Sequence, residues 1–577
     1  MERFKKVAAI GLTVGMLLSS PAWAAELTVS PAPSGKVDLH DQTTPEVKLT
    51  ESQKQALEKF YQVMPELKEL FIQGVRDTRD GKEWGVSLTG RPQGATMKNV
   101  IAQLSFERST GEMIMFAIRN PKWASDDVPA VEVAKEKAEE FVSKVIGEEI
   151  AGYQMNENVN YSGTATQDSE GNKIEWAAVD VQFNRLINGI PLLDSGFRVS
   201  VDVAGHVTGF YRVDSAGYAA GLHKEESNGP DPARFPGPSR AISKEEAEKI
   251  YAGLIEMRLN YRAHQPLKQL RPGKDTEKTR PVLMYVPSFL EPIDAITGKP
   301  LEEFSFNRTQ PQKITLQGEN RKMIASNPEE ASRLLYDVFD VDVAEMFFGG
   351  AEVREDMRDP GVKVKEYSWN TRLNGDTEGR PAMRYVNLKT LAGTGQVIGF
   401  NLQDDSVMGG EGTVSQVAAQ ETVVQLMKKY LKGSNDLEMR VFPSHEQMAP
   451  SWVDKRKLKI DHLNAPQIHF SFNQTYQGIP VLDGTYSVTV NTFTGRITGF
   501  YCGDVKFPVD LPDSKGVVAA DAAKAEFLKN HPLRLAYIWP EYFNQKSPVP
   551  YLVYQPTFQF GQEYIDAFTM KTMAPER

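Results

Sequence analysis

With one cysteine, Cys502, in 577 residues, the chain can make neither an internal disulfide nor a paired-cysteine zinc site, so its stability must come from buried cores. Histidine is scarce as well, with eight in all, and none sets up His-Glu-x-x-His, the helical spacing that puts two imidazoles beside a general base. His445-Glu446 is followed by Gln-Met-Ala. Gly-x-Ser-x-Gly elbows, Gly-x-x-x-x-Gly-Lys-Ser/Thr phosphate loops and Asp-x-Asp-x-Asp-Gly calcium loops do not occur. Basic excess is missing too: a formal charge of −10 gives no broad attraction for a phosphate backbone, which argues against nucleic acid as a partner. Beyond the first residues, no apolar run approaches the roughly 20 residues of a spanning helix. The expectation is therefore no catalytic residues, no cofactor and no metal. Acidic pairs such as Asp126-Asp127, Asp404-Asp405 and Glu245-Glu246 leave room for a weak calcium site or a carboxylate-based hydrolase.

What is present begins with an address. Arg3, Lys5 and Lys6 precede the apolar run Val7 to Leu18, and Ala22-Trp23-Ala24 supplies small residues where a signal peptidase reads. Residues 1–24 read as a Sec-type bacterial signal peptide. An uncleaved anchor is the competing reading. The mature chain is then expected to be secreted or cell-envelope associated, with no transmembrane segment.

The mature sequence repeats itself. Phe183 to Tyr211 and Phe472 to Tyr501 share 14 identities over 29 aligned positions, where unrelated sequence gives about 2. Thr110-Gly111 to Phe116 answers to Thr394-Gly395 to Phe400, and Pro281 to Ser288 answers to Pro550 to Thr557. Arg258-Leu259 with Tyr261 returns as Arg534-Leu535 with Tyr537, and Ile293-Asp294-Ala295 as Ile565-Asp566-Ala567. Landmarks in one order twice over predict two tandem copies.

Within each copy three sub-units are expected. Thr50 with Gln53, Ser243 with Glu246, and Asn327 with Pro328 and Glu330 are helix-start signals. Val131, Ala134, Ala138, Phe141 and Val145 recur at helical spacing. The period then falls to two, as in Phe197 to Val203, and a turn at Gly205 returns the chain through Val207 to Tyr211. A helix can cover one face of each such hairpin, which predicts an α+β fold of helices packed on small antiparallel sheets. The expected order is a disordered lead (25–49), a first copy (50–312, with units at about 50–120, 127–215 and 240–305), a linker (313–325) and a second copy (326–577, with units at about 326–405, 413–506 and 516–577). Proline-rich breaks at Asn228 to Pro238 and Phe507 to Lys515 precede the third unit of each copy.

The repeated Gly-Ile-Pro has a structural reading. Gly189 and Gly478 fit a turn with positive φ, Ile190 and Ile479 point to a core, and Pro191 and Pro480 begin an edge strand. Asp194 and Asp483 stand where a further turn would begin, and Asp294 and Asp566 precede Ala-x-Thr turns, positions at which a carboxylate caps backbone amides. Repeated aromatics, Phe210-Tyr211 and Phe500-Tyr501, read as core ahead of a ligand-binding groove.

Asn-Gly-Ile-Pro-Leu-Leu-Asp, followed by Val-x-Val-Asp and Gly-x-Val-Thr-Gly, resembles the strand motif of PepSY and thermolysin-propeptide domains. The Ile-Asp-Ala-x-Thr-Gly of Ile293 to Gly298 is similar to the PepSY strand-turn signature, from which the second copy departs by carrying Met570 in place of the glycine. With the long duplication, about 50 to 577 resembles exported bacterial proteins with the YcdB/YcdC-type repeated domain. The resemblance implies no enzymatic activity. It implies a module like the propeptides that assist folding of secreted metallopeptidases and restrain them. The expected function is non-enzymatic binding of protein or cell-wall partners, with a secreted peptidase the sharpest candidate. The competing readings are an envelope hydrolase using an acidic pair between the copies, and a wall-associated spacer.

Overall fold

The computed structural model describes residues 49–577 except 79–80, 91–98, 168–172, 194, 214–229, 264–280, 289–290, 302–309, 357–361, 372–383, 405–412, 444–449, 458–466, 503–510, 543–544, 558–562 and 574–577. The expected signal peptide and lead, apart from Leu49, lie outside the described residues, as does Asp194. Two compact units emerge. The first holds the described residues up to Ala241 together with Leu535–Trp539 and Val549–Val553; the second holds Ile242–Arg534, Pro540–Pro548 and the residues from Tyr554 on.

In the first unit, α1 (Glu51–Val63) begins at a reciprocal capping box. The Gln53 amide donates to Thr50 Oγ1 at 3.3 Å and the Thr50 amide donates to Gln53 Oε1 at 2.9 Å. Four strands follow, β1 (Phe71–Asp77), β2 (Glu83–Thr89), β3 (Ile101–Glu107) and β4 (Met113–Arg119). Then come α2 (Val131–Ile146), β5 (Tyr153–Met155), β6 (Asn160–Gln167), β7 (Lys173–Ile187), β8 (Ile190–Pro191), β9 (Phe197–Asp202) and β10 (Val207–Arg212). They form one sheet in the order β1-β2-β3-β4-β10-β9-β7-β5, with β6 and β8 also paired to β7. The two meanders meet at β4 and β10, where Phe116 lies opposite Phe210. Helix α1 sends Phe60 to Phe116 (ring centroids 5.2 Å apart), and α2 sends Phe141 to Phe210 (5.8 Å). All four rings are buried, each worth about 1.5–3 kcal/mol in transfer free energy. The seam between the meanders is therefore closed by the helices above it.

The second unit opens with α3 (Lys244–Leu254), β11 (Met257–Ala263), β12 (Pro281–Pro287) and β13 (Ile293–Asp294). Strand β14 (Gln312–Glu319) and α4 (Pro328–Phe339) lead into β15 (Phe347–Glu355), β16 (Lys363–Asn370), β17 (Arg384–Leu391) and β18 (Val397–Asp404). After α5 (Gln416–Tyr430) come β19 (Lys432–Phe442), β20 (Gln467–Tyr476), β21 (Ile479–Asn491) and β22 (Ile497–Cys502). The last elements are α6 (Ala520–Asn530), β23 (Leu533–Ile538), β24 (Glu541–Tyr542), β25 (Gln545–Lys546), β26 (Tyr551–Pro556), β27 (Tyr564–Asp566) and β28 (Thr572–Met573), of which β23 and β26 place residues in both units. The large sheet runs β15-β16-β17-β18-β22-β21-β11-β12-β27-β28, with β20 on β21, β19 on β20 and β14 on β19. Again two meanders meet at a pair of phenylalanines, Phe400 opposite Phe500, and here Phe339 of α4 covers both.

The architecture is α+β. Pairing is antiparallel except for a few contacts such as Tyr261 with Val481. The segment read as a linker is in part a sheet strand: β14 bonds β19 from Gln312↔Met439 to Glu319↔Lys432. Among the described residues no helix is long and apolar enough to cross a membrane.

Candidate functional site

Reacting groups come first, because their grouping would define an active site. Among the described residues no three His, Cys, Asp or Glu side chains stand together as metal ligands. Of the acidic pairs, Asp405 lies outside the described residues, and the rest sit in local structure. The Asp127 amide donates to Ser125 Oγ (3.0 Å), Glu245 and Glu246 form the first turn of α3, and Asp404 pairs with Arg384 at 3.3 Å. His206 is held by Asp202 at 2.8 Å and stacks on Trp123 at 4.1 Å, while His531 pairs with Glu563 at 3.2 Å.

One buried acid is notable. Asp180, on β7, accepts from Ser162 Oγ at 3.0 Å and Ser200 Oγ at 2.6 Å, and burial pushes its carboxyl up against the opposing pull of Ser200, Arg198 and Ser162. The sequence repeat places His469 at the matching position. It bonds Thr489 Oγ1 at 3.1 Å, and burial pushes its imidazole down. The two sites have opposite pH signatures. An acid whose folded pKa is raised binds more protons folded than unfolded, so stability falls as pH rises from about 4 through the folded value. A histidine whose folded pKa is depressed loses stability as pH falls below about 6.5. Asp180→Asn keeps the Oδ1 that takes both serine hydroxyls and removes the charge. The variant is expected to be more stable than the parent at pH 7, with the advantage shrinking towards pH 4, as urea midpoints at the two pH values will register.

The repeated motif residues sit on hairpins. Asn188 and Gly189 (φ 51° and 77°) close a two-residue turn between Ile187 and Ile190, and Gln477 and Gly478 (51° and 76°) do the same between Tyr476 and Ile479. Positive φ at both central positions matches the right-handed strand twist. Ile190, Pro191, Ile479 and Pro480 are half-buried, so the two isoleucines flank the core and do not fill it. The strand β21 continues through Asp483 to Asn491 without the turn expected there, because Asn473↔Thr485 pairing with β20 holds it in the sheet. Asp294 Oδ1 accepts from the Ile296 and Thr297 amides at 2.9 and 2.7 Å, and Asp566 Oδ1 accepts from Phe568 and Thr569 at 3.1 and 2.8 Å. These carboxylates hold turns. In the second turn Met570 takes φ 58° where Gly298 takes 70°, a left-handed conformation that costs a side chain about 1–2 kcal/mol. Met570→Gly is accordingly expected to stabilise the protein by about 1 kcal/mol, read as a higher urea midpoint at unchanged slope.

The surface that can do something is at the sheet edges. Strand β15 ends the order of the second sheet, and among the described residues no strand lies beyond it. Phe347 and Val353 are 50% and 56% exposed. A bulge between Phe348 and Gly350, where φ is 132°, kinks the strand next to the exposed ring. Strand β1 ends the first sheet in the same way, with Phe71 exposed and a bulge between Ile72 and Gly74. Bulges and charges blunt an edge against indiscriminate pairing, yet its outward amides and carbonyls can still bond an extended segment. The sequence pattern did not single out β15, because alternation locates a strand without saying which neighbours it lacks.

Comparison with known proteins gives two family-model matches. Residues 51–214 match the family model described as the YcdB, YcdC repeated domain. Residues 467–493, which carry the second Gly-Ile-Pro hairpin, match the Fungalysin/Thermolysin Propeptide Motif. No curated protein matches the chain. Among solved structures, the Bacillus megaterium YpeB C-terminal domain aligns at 14% identity over 45% of this chain and 100% of its own, with a TM-score of 0.22.

Proposed function

We propose that this chain, which carries a YcdB/YcdC repeated domain and a propeptide motif, is an exported, non-enzymatic protein of two PepSY-like copies that binds protein or cell-wall partners and restrains or assists a secreted peptidase. The observation that carries the reading is β15, an exposed strand at the end of a sheet that presents Phe347 and Val353. An extended polypeptide adds there as a further strand, the main chain supplying affinity and Phe347 and Val353 the side-chain contacts. Strand addition needs no reacting group. The propeptide motif at 467–493 supports a peptidase as the partner, and Arg3, Lys5 and Lys6 ahead of Val7 to Leu18 support export. The matched seams, Phe116 opposite Phe210 and Phe400 opposite Phe500, support two copies of one module.

The test adds the purified chain to secreted peptidases of the producing bacterium. Proteolysis by a cognate enzyme should slow. In the Phe347→Lys, Val353→Lys double variant the affinity should fall by about tenfold or more, equivalent to about 1.4 kcal/mol. Unchanged rates with every such peptidase, with or without the substitutions, end the reading.

A further inference from the structure

Each Gly-Ile-Pro hairpin is followed by a residue that meets a tyrosine, and that tyrosine comes from the other copy. In the first unit, Leu192 forms a parallel bridge with Tyr537, and the Leu193 amide donates to the Tyr537 carbonyl at 2.9 Å. The Tyr537 ring lies edge-on to Phe235 at 5.0 Å, and its hydroxyl donates to the Pro236 carbonyl. Arg234 stacks over Trp539 at 4.4 Å. In the second unit, taken by itself, the parallel bridge and the hydroxyl bond recur with the copies reversed, the tyrosine ring meeting a different aromatic. Val481 pairs in parallel with Tyr261, the Tyr261 ring lies edge-on to Tyr476 at 5.6 Å, and its hydroxyl donates to the Pro512 carbonyl at 2.7 Å. Both tyrosines are fully buried. In the repeat Leu192 corresponds to Val481, Tyr537 to Tyr261 and Pro236 to Pro512.

The second unit carries the exchange further. Helix α6 packs on β11 and β12, and β27 pairs with β12 through Met284↔Asp566 and Tyr285↔Ile565. The Tyr285 hydroxyl donates to the Val518 carbonyl at 2.8 Å, and the Ala567 amide to the Leu283 carbonyl at 3.0 Å. So β11 and β12, from the first copy, are covered and extended by elements of the second. Conversely, the first unit draws Leu535–Trp539 and Val549–Val553, segments of β23 and β26, from the end of the chain.

We propose that the third-unit hairpins are exchanged between the copies: β11–β12 of the first copy extends the sheet of the second at Val481, and β23 of the second, through Tyr537, bridges the first at Leu192. The edge after Gly-Ile-Pro is thus an interaction surface whose partner is a tyrosine-bearing hairpin of another copy of the same module. The boundary between repeats is consequently not a folding boundary, because each compact unit is made from both halves of the chain. This rests on the two-copy reading and not on the choice of an external partner.

The experiment places a protease site flanked by Gly-Ser spacers within residues 302–309 of the full chain and cuts the folded protein to completion. Under native conditions the two fragments should elute as one species with the mass of the uncut chain. Tyr261→Ala with Tyr537→Ala should make the cut fragments separate at a lower urea concentration, whereas the Tyr→Phe pair should lower it much less. Fragments that part on cutting while each keeps its helical signal would overturn the exchange and leave two independent copies. Fragments that part and unfold would show that neither half folds without the other, as the exchange requires. A double alanine variant that separates at the parent's urea concentration would also overturn the assigned contacts.

Discussion

Gly196→Ala is expected to cost the first unit at least about 4 kcal/mol, the range reached only when a substitution collides with fixed structure. Gly196 takes φ 86° at the re-entry into β9, and a Cβ built there lies 2.1 Å from the Phe183 carbonyl oxygen. That oxygen belongs to backbone in β7, where Phe183 is paired with Phe197, so no side-chain rotation relieves the clash. The neighbouring Ser195 fixes the loop as well. Its hydroxyl accepts from the Arg185 amide at 3.1 Å and donates to the Leu192 carbonyl at 2.5 Å. Relief requires β7 and β9 to part at their phenylalanine pair. Gly189→Ala is the internal comparison: its φ is 77°, yet nothing lies within 4 Å of the added carbon, so only the left-handed backbone cost of about 1–2 kcal/mol applies. Urea unfolding of the two variants beside the parent checks this, and equal losses would contradict it.

The sequence announced the helices through their first turns. Thr50, Ser243 and Asn327 accept from the Gln53, Glu246 and Glu330 amides, and these caps are local chemistry that a short window contains. Helices α2 and α6 start after Ala130 and Ala519 with no side-chain cap; α2 could be read from the stripe Val131, Ala134, Ala138 and Phe141 alone. Strand β14 was hidden for the opposite reason. Gln-Lys-Ile-Thr-Leu-Gln-Gly-Glu is a strand because Lys432 to Met439 lies alongside it, and a partner so far along the chain leaves no local trace. The exchanged hairpins were hidden by the repeat itself. Tyr261 and Tyr537 occupy equivalent positions in near-equivalent segments, so either could be assigned to either copy, and only loop lengths and long-range packing decide. The turn-holding aspartates were readable, since Asp294 and Asp566 bond amides two and three residues on. The exposure of β15 was not, because it depends on what is missing from its far side.

The second large effect is expected at Phe339, the last residue of α4. Its ring stacks on Phe400 at 4.1 Å and 12° and reaches Phe500 at 6.0 Å, and it is buried to 2% exposure. Phe400 and Phe500 are the facing pair by which β18 and β22 join two meanders, so one side chain of one helix covers the seam. Phe339→Ala removes the ring from both strands at once and should cost about 3–5 kcal/mol, while Phe339→Leu, which keeps most of the volume, should cost no more than about 1.5 kcal/mol. Asp340, next in sequence, holds φ 56° and ends the helix with its amide shared between the Leu335 and Tyr336 carbonyls. The ring position is therefore fixed by the helix stop and cannot slide to refill the space. Hydrogen exchange supplies the specific readout. Amides of β18 and β22 should lose protection in Phe339→Ala well beyond those of β14 and β19, which pair with each other away from the seam. Uniform loss across the second unit would mean that the ring contributes bulk hydrophobic burial and does not tie the two meanders together.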